Sequence, residues 1–88
     1  MINQLSLIFY NCCKLNNVTI HKLEAENIIK DFINYSKICY SRYFIEKLLL
    51  LIEFYNRKGL ITGSKYNLEL VCIEFFNYTK NYFIYNIL

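Results

Sequence analysis

The side chains best suited to nucleophilic chemistry are one histidine, His21, and four cysteines, Cys12, Cys13, Cys39 and Cys72. A cysteine nucleophile needs a base beside it, and His21 is the only histidine in the sequence. No sequence motif connects His21 with a cysteine. An ordinary histidine in the first turn of a surface helix is therefore a better interpretation than a catalytic base. We therefore expect no catalytic residue and no enzymatic activity.

The spacing of the cysteines favours neither a metal site nor a disulfide framework. Structural zinc usually takes its ligands in closely spaced pairs, whereas here two cysteines are adjacent and the other two are isolated. The first basic residue, Lys14, follows the first apolar segment, so we expect no secretory signal. The thiols should then be reduced and pack as small hydrophobic side chains, and we expect no metal and no cofactor.

Two carboxylates, Glu46 and Glu53, fall on one face of a predicted helix, and such a pair could suit acid–base chemistry or metal binding. Arg42 and Arg57 flank them, however, and Glu53 and Arg57 form an ordinary exposed pair at helical spacing. A solvated stripe of charge explains the pattern better. Both glycines fall in one predicted turn, so no glycine-rich phosphate loop is expected.

The stretch that organises the predicted fold is residues 42–58. On a helix of about 100° per residue, one broad arc of this stretch is apolar: Phe44, Ile45, Leu48, Leu51, Ile52 and Tyr55. Ser41 is a suitable N-cap, and Gly59 can end the helix in the left-handed conformation. Because a second apolar row lies outside the arc, we predict a central helix with more than one neighbour.

Three further segments have apolar residues at helical spacing, and we predict helices over 1–15, from 20 to 35 or 39, and over 65–88. The apolar faces of the first two include Leu15 and Leu23, and Thr19 is the predicted N-cap of the second. Frequent aromatic and β-branched residues leave strands as alternatives at 5–10, 68–76 and 82–88. The predicted fold is a single small all-α domain, residues 1–88, built as a bundle of three to four helices.

Residues 59–64 predict a tight helical hairpin. Gly59 ends one helix, and Thr62 or Ser64 caps the next. The Gly59-Leu60-Ile61-Thr62 turn between leucine-bearing helices resembles the short C-terminal helical hairpin called SHOCT, although Gly63 stands where an acidic residue usually follows the threonine. The resemblance implies the hairpin alone, with no activity, cofactor or partner.

The amino-acid composition predicts a partner. Hydrophobic residues make up 56% of the chain, although a domain of 88 residues has proportionally more surface to keep polar. An AT-rich gene explains the abundance of isoleucine, asparagine and tyrosine, and it points to a low-GC bacterium with its phages and plasmids, an organelle, a large DNA virus or an AT-rich parasite. Codon bias does not explain the surplus of apolar surface, so we expect part of that surface to be buried against another chain.

The net charge of +3 is too small and too scattered to identify a partner by itself. No apolar run reaches the ~18 residues that a membrane-spanning helix needs. We therefore expect a chain without a membrane span, located in the cytoplasm or in the interior of an organelle.

Two groups of residues are candidate binding sites. The first is a row on the 42–58 helix that we expect to bind another protein or a second copy of the chain: Tyr43, Lys47, Leu50, Phe54 and Lys58. The second is a basic group at the hairpin tip, with a tyrosine for stacking, that would suit nucleic acid: Arg57, Lys58, Lys65 and Tyr66. We favour the first group because few basic residues cluster at the tip.

These patterns favour a small non-enzymatic protein-binding module. We expect a phage or mobile-element regulator that occludes a partner's surface, an inhibitor of the anti-defence type such as an anti-CRISPR protein. Its size, its gene composition and its lack of catalytic groups support this expectation. The alternatives are a structural subunit of a large assembly, such as an organellar ribosome or respiratory complex, and a small nucleic-acid-binding protein.

Overall fold

The computed structural model describes the backbone of residues 2–35 and 43–86 and the side chains of residues 2–34 and 43–81. It contains four helices: α1 (Ile2–Leu15), α2 (Lys22–Tyr35), α3 (Phe44–Arg57) and α4 (Lys65–Asn86). Helices that follow one another in sequence pack together, and α1 also packs against α4, so the four helices close a ring. Within the described ranges no strand is present, and the predicted all-α bundle is confirmed.

The segments for which strands were the alternative are helical. Residues 5–10 lie within α1, residues 68–76 lie within α4, and α4 continues through the described part of 82–88. The reason is that their apolar side chains are buried at helical spacing, as Leu68, Val71 and Phe75 are in α4. Burial of a continuous helix face therefore outweighs the strand preference of individual aromatic and β-branched residues.

Helix α3 buries the arc that the sequence predicts. Phe44, Leu48, Ile52 and Tyr55 are buried, and α2 and α4 both contact the helix. The Tyr55 hydroxyl also donates a hydrogen bond of 2.7 Å to the Asp31 carboxylate, which joins α3 to α2. The prediction that this helix has more than one neighbour is confirmed. The second apolar row is not needed for it, however, because the buried arc is wide enough to contact both α2 and α4.

A line of phenylalanine rings, one from each helix, connects the four helices inside the core. Phe9 meets Phe75 edge to face with 5.5 Å between ring centroids, and Phe75 stacks on Phe44 at 6.2 Å. Phe44 in turn meets Phe32 edge to face at 4.8 Å. Such pairs contribute about 0.5–1.5 kcal/mol beyond burial of their area. Along the line, the phenylalanines come from α1, α4, α3 and α2 in turn. Each ring contact therefore joins two helices that are neighbours in the bundle, whether or not they are neighbours in sequence.

The α1–α2 and α3–α4 loops meet at one end of the bundle, which we call the loop end. Thr19 and Thr62 form an isolated antiparallel bridge, with N–H to O hydrogen bonds of 2.8 and 3.0 Å in the two directions. Three apolar loop residues, Val18, Ile20 and Ile61, are buried beneath the bridge and close the core. The bridge therefore fixes the position of each loop relative to the other.

Each loop has a residue in the left-handed conformation at its second position. Gly59 has φ +76°, its N–H donates to the Asn56 carbonyl at 3.0 Å, and the next N–H, of Leu60, donates to the Tyr55 carbonyl at 3.1 Å. This is the Schellman pattern that ends helices, and it confirms the predicted role of the glycine. Asn17, with φ 57°, takes the same position after α1.

Several predicted caps and faces need correction. Thr19 is not the N-cap of α2, because the helix begins at Lys22 and Thr19 pairs with Thr62 instead. Leu15 and Leu23, predicted on apolar faces, expose 72% and 64% of their surface, since the buried loop residues described above take the space at that end of the core.

The remaining caps have mixed outcomes. Of the two candidate caps for α4, Ser64 is the one used, because its Oγ accepts the Asn67 N–H at 3.1 Å. The predicted N-cap Ser41, and an α2 that would extend to residue 39, lie outside the described residues.

Candidate protein-binding surface

One exposed line of side chains runs the length of α3, and we call it the α3 row. Its members are Tyr43, Lys47, Leu50, Phe54 and Lys58, which follow one another at intervals of three or four residues and so share one side of the helix. At 1.5 Å per residue the row is about 22 Å long. The structure thus places the five predicted protein-interaction residues on one continuous surface.

All five side chains of the α3 row are exposed. Leu50 exposes 67% of its surface, Phe54 45% and Tyr43 44%. The cause is the direction of the core, because the buried arc around Leu48 and Ile52 lies roughly a third of a turn away from the row. Full burial of one exposed leucine against a partner favours association by about 1.5–3 kcal/mol.

The C-terminal end of the α3 row is held in place by its own side chains. The Lys58 ammonium lies over the Phe54 ring, 4.8 Å from its centroid, and the Phe54 ring meets the Tyr55 ring at 6.2 Å. A cation–π contact at an exposed site is worth about 0.5–1 kcal/mol. The Phe54 ring is therefore oriented before any partner arrives, which lowers the entropic cost of binding.

The residues predicted for nucleic acid lie at the loop end. Arg57 and Lys58 end α3, Lys65 and Tyr66 begin α4, and all four side chains are exposed. The Schellman turn at Gly59 reverses the chain between the two pairs. The structure thus brings the four residues to one end of the bundle, as a helical hairpin requires.

The cysteines are buried as the sequence predicts, apart from Cys39, which lies outside the described residues. Burial raises the pKa of the Cys12 thiol to about 11, with a smaller contribution from Glu74. Burial likewise raises the pKa of Cys13 to about 12 and that of Cys72 further still. These thiols are protonated at neutral pH, whereas a reactive cysteine needs a lowered pKa.

The other candidates for chemistry are dispersed. His21 is exposed before the first residue of α2, Glu46 is exposed on α3, and Glu53 is half-buried one face away from the row. Within the described part of the chain, no three histidine, cysteine, aspartate or glutamate side chains lie close enough to hold a metal ion together.

Sequence reasoning missed a shallow groove between α1 and α4. It has a volume of about 330 Å³ and is lined by Ile8, Asn11, Cys12, Leu15 and Tyr78. The exposed Leu15 lies on α1, diagonally across the ring of helices from α3, and the exposed Tyr78 lies on α4. The sequence contains one indication of this groove. Leu15 is the last residue of its predicted helix, and a leucine at a helix end can lie beyond the edge of the core.

No helix in the described residues combines the length and the apolar character that crossing a membrane requires. Comparison of the chain with known proteins found no matching family model, no similar curated protein and no similar solved structure.

Proposed function

We propose that the chain is a small non-enzymatic protein-binding module and that its partner docks on the α3 row. The observation that supports this proposal is the exposure of Leu50, Phe54 and Tyr43 along one line of a helix whose other side is fully packed. Contiguous apolar side chains on the surface of a small domain commonly mark an interaction site. The surplus of apolar residues in the composition has the same explanation.

The α3 row also indicates the chemistry of the partner. Two aromatic rings and a leucine supply anchors of the kind that dominate protein interfaces. Lys47 and Lys58 alternate with these anchors, so carboxylates at the rim of the partner surface would complement them. An amphipathic helix with an apolar centre and acidic edges, laid along the row, satisfies both requirements.

A regulator that acts by occlusion fits this arrangement. Binding along one exposed helix needs no catalytic group and could cover a site on the partner. We propose a phage or mobile-element inhibitor of the anti-defence type as the biological setting, on the support of the small size and the AT-rich gene.

Site-specific photo-crosslinking tests the docking surface. A photoreactive phenylalanine analogue replaces Leu50 in one variant and Leu7, an exposed leucine of α1, in a matched control. In cells that encode the chain, we expect a discrete crosslinked protein from position 50 and not from position 7. The adduct should disappear when Phe54→Ala is added. The same adduct from both positions, or none from position 50, would contradict the proposal.

A permanent structural subunit is the second candidate, and the groove between α1 and α4 favours it. The exposed Leu15 and Tyr78 give the chain a second apolar surface, away from α3. A subunit that contacts several neighbours would use both surfaces. We expect such a chain to aggregate when isolated in reducing buffer, whereas a diffusible binder should give a discrete monomer or dimer by light scattering behind a sizing column.

A further inference from the structure

The loop end gathers basic residues that are far apart in sequence. Because the Thr19–Thr62 bridge joins the two loops, segments 14–24 and 56–66 lie side by side at one end of the bundle. Together they carry five of the ten basic residues of the chain and one of its seven acidic residues, Glu24. The rest of the chain has five basic and six acidic residues. Glu74 of α4 also reaches the first loop, because its carboxylate accepts the Asn16 side-chain N–H at 3.0 Å. Five basic residues therefore stand against two carboxylates at this end, which leaves it with a net positive charge.

Two of these basic residues lie beside the same aromatic ring. The Lys14 and Lys22 ammonium groups lie 5.3 and 5.7 Å from the centroid of the same Tyr10 ring. Lys22 and Lys65 are the first residues of α2 and α4, where the positive ends of the helix dipoles add to their charge. Lys14 and Arg57, in the last turns of α1 and α3, offset the negative ends of those helices.

The same end also exposes large apolar side chains between the basic ones: Leu23, Leu60 and Tyr66. Contacts to a phosphate backbone would satisfy the lysines and leave the leucines in water, so backbone binding to nucleic acid accounts for the charge and not for the leucines. A lipid surface explains both. Leucines enter the boundary between headgroups and acyl chains, tyrosine settles at the headgroup level, and lysines remain beside anionic headgroups.

We propose that the loop end is a peripheral docking surface for membranes rich in anionic phospholipid. The bundle stands on the membrane with α1–α4 rising from it, and the apolar residues of both loops enter the interface. Each basic residue near an anionic surface contributes about 1 kcal/mol, or roughly a fivefold change in affinity. The loop end shares Lys58 with the α3 row, but none of the variants below changes that residue, so this proposal does not depend on the protein-binding proposal.

Vesicle flotation with the full chain tests the proposal. The probes are vesicles of phosphatidylcholine alone and vesicles with about one-third phosphatidylglycerol, at an ionic strength near 0.1 M. The charge variant Lys22→Gln/Lys65→Gln changes the helical residue that follows each loop. Its matched control, Lys30→Gln/Lys80→Gln, has the same net charge but changes residues away from the loop end. The apolar variant Leu23→Ser/Leu60→Ser is compared with Leu7→Ser. Circular dichroism checks that each variant is folded.

We expect the chain to float with anionic vesicles and much less with neutral ones, and to be released by high salt. The loop-end lysine variant should bind at least tenfold more weakly, while its control changes binding by less than about threefold. The leucine variant should lose at least fivefold and Leu7→Ser almost nothing. Equal binding to both vesicle types, or equal effects of test and control variants, would overturn the proposal. Tighter binding to duplex DNA, unaffected by Leu23→Ser/Leu60→Ser, would replace it with a nucleic-acid site.

Discussion

A methyl group added at Gly63 should destabilise the bundle through its contact with one valine. A Cβ at position 63 would lie 2.8 Å from Cγ2 of Val18, well inside the ordinary contact distance of two carbon atoms. Val18 is buried, with 4% of its surface exposed, and cannot move its methyl group into solvent. Overpacking of this kind costs about 1–3 kcal/mol. We expect Gly63→Ala to lower the free energy of unfolding by about 2 kcal/mol.

A double-mutant cycle isolates that contact. Val18→Ala alone removes two buried methyl groups and should cost about 2 kcal/mol. It also removes the atom that meets the new Cβ, while the two other near neighbours, Cβ of residue 18 and Cδ2 of Leu68, lie at 3.4 and 3.5 Å. In the Val18→Ala background, Gly63→Ala should therefore cost less than about 0.5 kcal/mol. Urea denaturation followed by circular dichroism of the four proteins measures the coupling.

Gly59→Ala serves as a control with a different cause. A Cβ at Gly59 would meet nothing within 4 Å, but its φ of +76° is unfavourable for alanine. We expect a loss of about 1 kcal/mol from the backbone alone. That loss should be the same with valine or alanine at position 18. The reasoning is refuted if Gly63→Ala stays equally costly after Val18→Ala, or if Gly59→Ala couples to position 18 as strongly.

Three further outcomes are expected. Phe44→Ala removes one of the two central rings of the phenylalanine line and should cost about 3–5 kcal/mol in urea denaturation, whereas the exposed Phe54→Ala should cost less than about 1 kcal/mol. Tyr55→Phe should cost about 0.5–1.5 kcal/mol, because the hydrogen bond to α2 is lost, and thermal unfolding would detect it. Since the folded pKa values of Cys12 and Cys13, about 11 and about 12, lie above the ordinary 9.0, the unfolded chain loses these protons first. The free energy of unfolding should be insensitive to these thiols below pH 9 and should fall above pH 9. The fall is at most about 1.4 kcal/mol per pH unit for each thiol, and urea titrations at several pH values measure it.

The helices and the hairpin could be predicted because their signals are local. The arc of α3 repeats at helical spacing, Gly59 can adopt a left-handed conformation without a steric penalty, and Ser64 stands just before its helix. Each signal involves residues within one or two turns of one another. The α3 row was also predictable, since side chains outside the buried arc of a regular helix must face elsewhere.

The loop end could not be predicted, because it depends on contacts between distant residues. Nothing near Thr19 indicates that it pairs with Thr62, and the threonine therefore looks like a helix cap. Without that bridge, the basic residues of the two loops remain separate small groups, and Leu15 and Leu23 seem to belong to core faces. Charge and apolar exposure at this end become visible only when both loops are placed together.

The order of the phenylalanine rings has a consequence for how the chain reaches its native state. The central pair, Phe44 and Phe75, belongs to the α3–α4 hairpin, so these rings can meet within one half of the chain. Phe9 and Phe32 each attach to a ring of that hairpin, and so α1 and α2 complete the line from its two ends. Because the cost of closing a loop grows with its length, contacts between rings that are close in sequence should form first, so Phe32 should meet Phe44 early and Phe9 should meet Phe75 last. On a ribosome, Phe9 of the first helix would therefore gain its ring partner only after α4, the last helix, has been synthesised.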